Sequence, residues 1–226
     1  MQKSLLLSVA GLCLAQFGYA QEIPKVQISG SISYLRFHAS AAEATDLSSQ
    51  FGVPVQTNNV SSSLFGWDSS VTENLNSWFA GELDLSGFYG SPVANFLSPA
   101  APTPNLSQHV PVLAAVHTFM YGPRFSYRRG RIVPYAHILL GGAHFNGSIN
   151  QSSVFSAAPG AGTLPSGTSV SDTAFAASPG GGVEISLNSR MSVRPVQIDY
   201  LMTRFYQQRQ DNLRISAGIV FNLGTK

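Results

Sequence analysis

Residues 212–223 read Asn-Leu-Arg-Ile-Ser-Ala-Gly-Ile-Val-Phe-Asn-Leu. Leu213, Ile215, Ala217, Ile219, Phe221 and Leu223 share one parity, and Arg214, Ser216, Gly218 and Asn222 the other. Successive side chains of a strand point to opposite faces, so this period of two describes a β-strand with one apolar and one polar face.

Working back along the chain, the pattern recurs seven times. Between Val26 and Tyr34 the apolar Val26, Ile28, Ile32 and Tyr34 oppose Gln27, Ser29, Ser31 and Ser33. Further alternating segments fall near 64–74, 77–87, 112–127, 132–144, 173–187 and 193–206. Their polar faces include Asp68, Glu82, Asp84, Arg124, Tyr135, His137, Glu184, Gln197 and Asp199, and their apolar faces Phe65, Trp67, Phe119, Tyr121, Ile138 and Ile198. Eight strands result.

Long and short connections alternate between them. The segments 38–63, 88–111 and 145–172 are long and carry Ser, Pro, Gly and Asn runs such as Pro99–Pro104 and Gly160–Ser171, with no periodicity of their own. The connections at Asn74–Ser77, Arg128–Arg131 and Asn188–Met191 are short. Long connections on one rim and tight turns on the other predict an all-β, eight-stranded antiparallel up-and-down barrel with two unlike ends.

Alternation alone fits a soluble barrel with an apolar interior or a transmembrane β-barrel with an apolar exterior. Composition separates the two. Only 11% of residues are charged, whereas a soluble domain carries about 25%. The polar faces hold mostly Ser, Thr, Gly, Gln and Asn, residues suited to a crowded lumen rather than a wet exterior. Aromatics gather towards the strand ends: Trp78, Phe125, Tyr127 and Phe221 near the short turns, and Tyr34, Phe37, Trp67, Phe88, Tyr89, Phe205 and Tyr206 towards the long connections. Two aromatic girdles around an apolar band are what a bilayer selects. No run of apolar residues is long enough for a spanning helix. A formal net charge of +2 gives no nucleic-acid footprint.

Residues 1–20 have a signal peptide's layout: Lys3, an apolar run from Leu5 to Leu14, and small residues at Gly18 and Ala20 before Gln21. Cleavage after Ala20 removes Cys13, the chain's one cysteine, leaving residues 21–226 as an exported barrel domain without disulfides.

Several stretches now look familiar: HTFMYGPRFSYRR (117–129), VPYAHILLGGA (133–143), SDTAFAASPGGGVEISL (171–187), RPVQIDYLMTRF (194–205) and LRISAGIVFNLG (213–224). They resemble the bacterial outer-membrane β-barrel family, the OmpA-like and OmpX-like eight-stranded barrels, with the likeness running over residues 25–226 and strongest in the second half. The resemblance implies that the short turns face the periplasm and the long loops the exterior, that the protein meets outer-membrane lipid and lipopolysaccharide, and that the barrel-insertion machinery recognises it. No peptidoglycan-binding module is expected after residue 226, and the last strand closes on Phe221-Asn222-Leu223-Gly224 rather than on a terminal aromatic.

The inward-facing charges Glu82, Asp84, Arg124, Glu184, Asp199 and Arg214 are the candidate site. Unpaired, each would be costly in a narrow lumen, so a paired network is expected. It would fill the barrel as a plug or line an ion path. His38, His109, His117, His137 and His144 are possible bases for a lipid-modifying enzyme, but none lies in a nucleophile motif; no catalytic, cofactor or metal site is expected. Arg128, Arg129, Arg131, Arg190 and Arg194 gather at the short-turn rim. The expectation is a monomeric, non-enzymatic outer-membrane protein supporting envelope integrity or surface interaction through its loops. A narrow porin-like channel and a lipid-modifying enzyme are the alternatives.

Overall fold

The computed structural model describes residues 23–38, 55–56, 61–91, 93–97, 107–149 and 169–225. The segment 1–20, read above as a signal peptide, and the Pro99–Pro104 run lie outside them. Ten strands are described: β1 Pro24–His38, β2 Val55–Gln56, β3 Ser61–Asn74, β4 Phe79–Gly90, β5 Val93–Leu97, β6 Ser107–Ser126, β7 Ile132–Ile149, β8 Ser169–Ser186, β9 Met191–Thr203 and β10 Gln210–Thr225. Eight of them close on themselves. Going round, β1 pairs with β3, β3 with β4, β4 with β6, β6 with β7, β7 with β8, β8 with β9, β9 with β10 and β10 with β1, all antiparallel. Closure removes the free edges that lipid would not tolerate.

Parity holds round the barrel outside one interruption in β9. Ile32 is 78% exposed and Phe119 60%, on a continuous outer band of Ile, Leu, Val, Phe, Tyr and Trp, while Gln27, Ser29, Asp84, Arg124 and Arg214 are buried inside. An apolar outside around a polar inside inverts a soluble protein, and its physical solution is a bilayer around the barrel.

Two short turns are built the same way. The Asn76 side-chain oxygen accepts from the backbone N–H of Trp78 and Phe79 at 2.9 and 2.8 Å, and that of Asn188 accepts from Arg190 and Met191 at 2.8 and 2.9 Å. These are Asx turns, in which a short side chain stands in for a backbone acceptor. Gly130, at φ 85°, makes the third turn.

The structure corrects the sequence reading in three places. The connections at 38–63, 88–111 and 145–172 are not wholly irregular: pairing continues past the alternating segments, as where Asn146, Gly147 and Ser148 face Ser171, Val170 and Ser169. The short β5 adds to the extension of β6, and β2 to β5. Beyond the bilayer both faces can be polar, so a ladder persists there without a hydrophobic pattern to reveal it. Second, Phe88 and Phe205 lie inside the barrel, and Phe37 and Tyr206 pack against the same interior cluster instead of the outer girdle. Third, Arg194 belongs to the lumen and not to the short-turn rim.

Its cause is a β-bulge. Arg194 pairs with Gly218 but Gln197 with Ser216, so one extra β9 residue is inserted between them. Pro195 occupies the bulge, where a missing N–H costs no ladder bond, and the phase flip turns both Arg194 and Gln197 inward.

Close strand approach sets a further constraint at Gly122, where a Cβ would run into the backbone carbonyl of Ile138 on the neighbouring strand. Gly122→Val is therefore expected to destabilise the barrel by about 1–3 kcal/mol, the usual cost of overpacking, read as an earlier urea midpoint in lipid vesicles.

Candidate functional site

The lumen has two layers. At the short-turn end Arg128 donates to Gln27 and Asn74 at 2.9 and 2.8 Å, and Gln27 donates on to Glu184 at 3.2 Å. Glu184 sits between two guanidinium groups, Arg124 at 2.6 Å and Arg194 at 2.9 Å. Arg124 lies 3.7 Å from the centre of the Tyr135 ring, and Tyr135 and Arg194 both donate to the side-chain Oε1 of Gln197, at 2.6 and 2.7 Å.

Further in, His137 bridges two carboxylates, with Nδ1 3.0 Å from Glu82 and Nε2 2.8 Å from Asp199. Both ring nitrogens are thus engaged by carboxyl groups. Arg214 then binds three acids: Asp199 at 2.7 Å, Asp84 at 2.9 Å and Asp68 at 3.0 Å. Gly180 makes room, since a Cβ there would meet the Asp199 carboxylate.

All six residues singled out from the sequence, Glu82, Asp84, Arg124, Glu184, Asp199 and Arg214, enter this one cluster, each at most 1% exposed. Sequence reasoning left out Asp68, Arg194 and His137 as members. Asp68 and His137 had the correct parity and so were readable; Arg194 was hidden by the bulge. With Arg128 at its short-turn end, the network sets five carboxyl groups (Asp68, Glu82, Asp84, Glu184, Asp199) against four arginines and His137, among the described residues.

Above it, the Ser86 and Thr118 hydroxyls pair at 2.6 Å, and then the lumen turns apolar. Leu35, Leu64, Phe88, Val116, Leu139 and Leu201 form a buried cluster with Phe205. Phe205 arrives on a short 3-10 turn, Phe205–Gln207, that follows β9 and folds inward. Its ring packs 5.8 Å from Phe145, which stacks at 6.3 Å on Phe37, and Asp172 accepts from the Tyr206 backbone N–H at 2.6 Å. An ionic layer below and an apolar layer above fill the described barrel interior.

His117 and His144 stand apart from the cluster. His117 and His144 face each other across β6 and β7 on the outer wall; His117 meets the Tyr89 hydroxyl at 3.0 Å and His144 the Thr173 hydroxyl at 2.8 Å. His38 ends β1 and His109 lies in β6.

A closed eight-stranded wall, an apolar exterior and a side-chain-filled interior can be compared with solved structures. Neisserial surface protein A aligns with a TM-score of 0.55 at 10% identity, over 88% of this chain and 97% of that one. The outer membrane protein OprG from Pseudomonas aeruginosa aligns with a TM-score of 0.51 at 10% identity, over 91% and 98%. The fold is that of the eight-stranded outer-membrane barrels. No family model and no curated protein sequence matches the chain. In an outer-membrane barrel the apolar band meets lipid and the aromatic ends of the strands meet the headgroups, so the ionic cluster lies at membrane depth, where each charge depends on its partners.

Proposed function

We propose that the protein is a non-enzymatic, monomeric outer-membrane barrel that serves the cell envelope by holding its long connecting segments at the cell surface, where they support envelope integrity or surface interaction. The observation that carries this reading is the filled interior. Ionic and apolar layers stacked across a lumen just wide enough for side chains favour a scaffold over a solute path. Function then falls to the connecting segments that such a frame carries. For an enzyme, His137 has both nitrogens engaged by carboxylates, and His144 meets Thr173 with the nearby Asp172 bonded to backbone N–H groups; neither resembles an activated nucleophile. Outer-membrane lipid, lipopolysaccharide and the insertion machinery are the expected partners, with loop ligands beyond them.

Replacing residues 39–54, 98–106 and 150–168 with short Gly-Ser turns in cells otherwise lacking the chain tests the reading. The trimmed barrel is expected to insert, shown by heat-modifiable gel migration, while surface adhesion and detergent resistance drop to the level of cells without it. Full complementation by the trimmed barrel would overturn the proposal.

A further inference from the structure

On the outer wall, at the short-turn end, the start of β4 and the facing ends of β6 and β7 frame an open groove of about 410 Å³. Its walls are Trp78, Phe125 and Tyr127 on one side and Pro134 and Ala136 on the other. The Trp78 and Phe125 rings stack 6.1 Å apart with only 13° between their planes, which leaves a flat aromatic side facing lipid. The groove continues the apolar band up to the headgroup level and ends at the turn Arg128–Arg131.

That turn is strongly basic. Arg129 holds its guanidinium 5.3 Å from the centre of the Tyr127 ring, and Arg129 and Arg131 are both exposed. Neither makes an ion pair among the described residues. Lys25 and Arg190 share the rim, where Glu73 is the acid that the described residues provide. An apolar slot ending in unpaired guanidinium groups, one braced on an aromatic face, has the chemistry of an acyl chain capped by a phosphate.

We propose that this groove seats one anionic phospholipid of the leaflet on the short-turn side, an acyl chain lying between Trp78 and Pro134 and the phosphate on Arg129 and Arg131. Bulk lipid would solvate the same surface without regard to headgroup charge. This site distinguishes headgroups, because its cationic groups have no acidic partner among the described residues. The inference rests on the barrel's placement in a bilayer, which gel migration scores separately from lipid preference.

The chain has two tryptophans, so a Trp67→Phe variant leaves Trp78 as the one reporter. The variant is refolded into phosphatidylcholine vesicles containing a minor fraction of lipid brominated on its chains, either phosphatidylglycerol or phosphatidylcholine. Brominated phosphatidylglycerol is expected to quench Trp78 several-fold more than the same amount of brominated phosphatidylcholine. Adding Arg129→Gln and Arg131→Gln should erase that excess while the barrel still inserts. Equal quenching by the two lipids would overturn the proposal, as would an excess that survives the double substitution; failure to insert at all would instead contradict the bilayer placement.

Discussion

Replacing Arg214 with methionine is expected to destabilise the folded barrel by about 3–5 kcal/mol, the cost of removing one partner from a buried ion pair. Arg214 is fully buried and is the shared cation of Asp68, Asp84 and Asp199. Methionine keeps an unbranched stem but ends short of the guanidinium, so a smaller packing loss at the fork accompanies the loss of charge. Three carboxyl groups would then crowd one another at membrane depth, with His137 bonded to one of them, Asp199. Arg214→Lys should recover only part of the stability, because an ammonium cannot reproduce the planar fork that reaches Asp199 through Nε and Asp84 through both terminal nitrogens. Urea unfolding in lipid vesicles, followed by tryptophan fluorescence, measures both. A loss for Arg214→Met under about 1 kcal/mol, the range of solvent-exposed pairs, would show that water screens the cluster and that the lumen is open.

Ile138→Arg tests the outside of the wall as Arg214→Met tests the inside. Ile138 is 51% exposed on the outer face of β7, one residue from the inward His137. In a bilayer an arginine there is expected to cost about 2–4 kcal/mol near the midplane, falling towards the interfaces. On a barrel surrounded by water the same exposed position would accept it within about 0.5 kcal/mol. Comparing Ile138→Arg with Tyr127→Arg, at the headgroup level, gives the depth dependence within one set of unfolding curves. A large penalty for the first and a small one for the second is the expected pattern; equal and small penalties would contradict the membrane placement.

How much of this was legible in the sequence depended on whether one parity ran uninterrupted. In β10, and in β1 from Val26 onward, it did, and the inward and outward residues could be assigned by counting in twos. At Pro195 it did not: one inserted residue reversed the phase, so Arg194 counted as outward and was placed on the rim although it neutralises Glu184. Phe37 and Phe88 had inward parity all along. Nearness to a strand end suggested a girdle, and the alternation that contradicted it was the stronger physical signal. The apolar upper lumen was missed with them, because Leu35, Leu64 and Phe88 stand at inward positions otherwise filled by serine and acids. Which charges meet was beyond sequence reading. Asp84 and Arg214 are 130 residues apart and meet only because the stagger of eight paired strands brings them to one level.

Single-channel recording of refolded residues 21–226 in a planar bilayer tests the central claim, a barrel sealed from within, most directly. With folding confirmed by gel migration, the ionic cluster and the Phe205 layer above it should leave the membrane electrically silent. Steady openings whose size changes with Glu82→Gln or Arg124→Gln would contradict the claim, and would make the luminal charges the lining of an ion path.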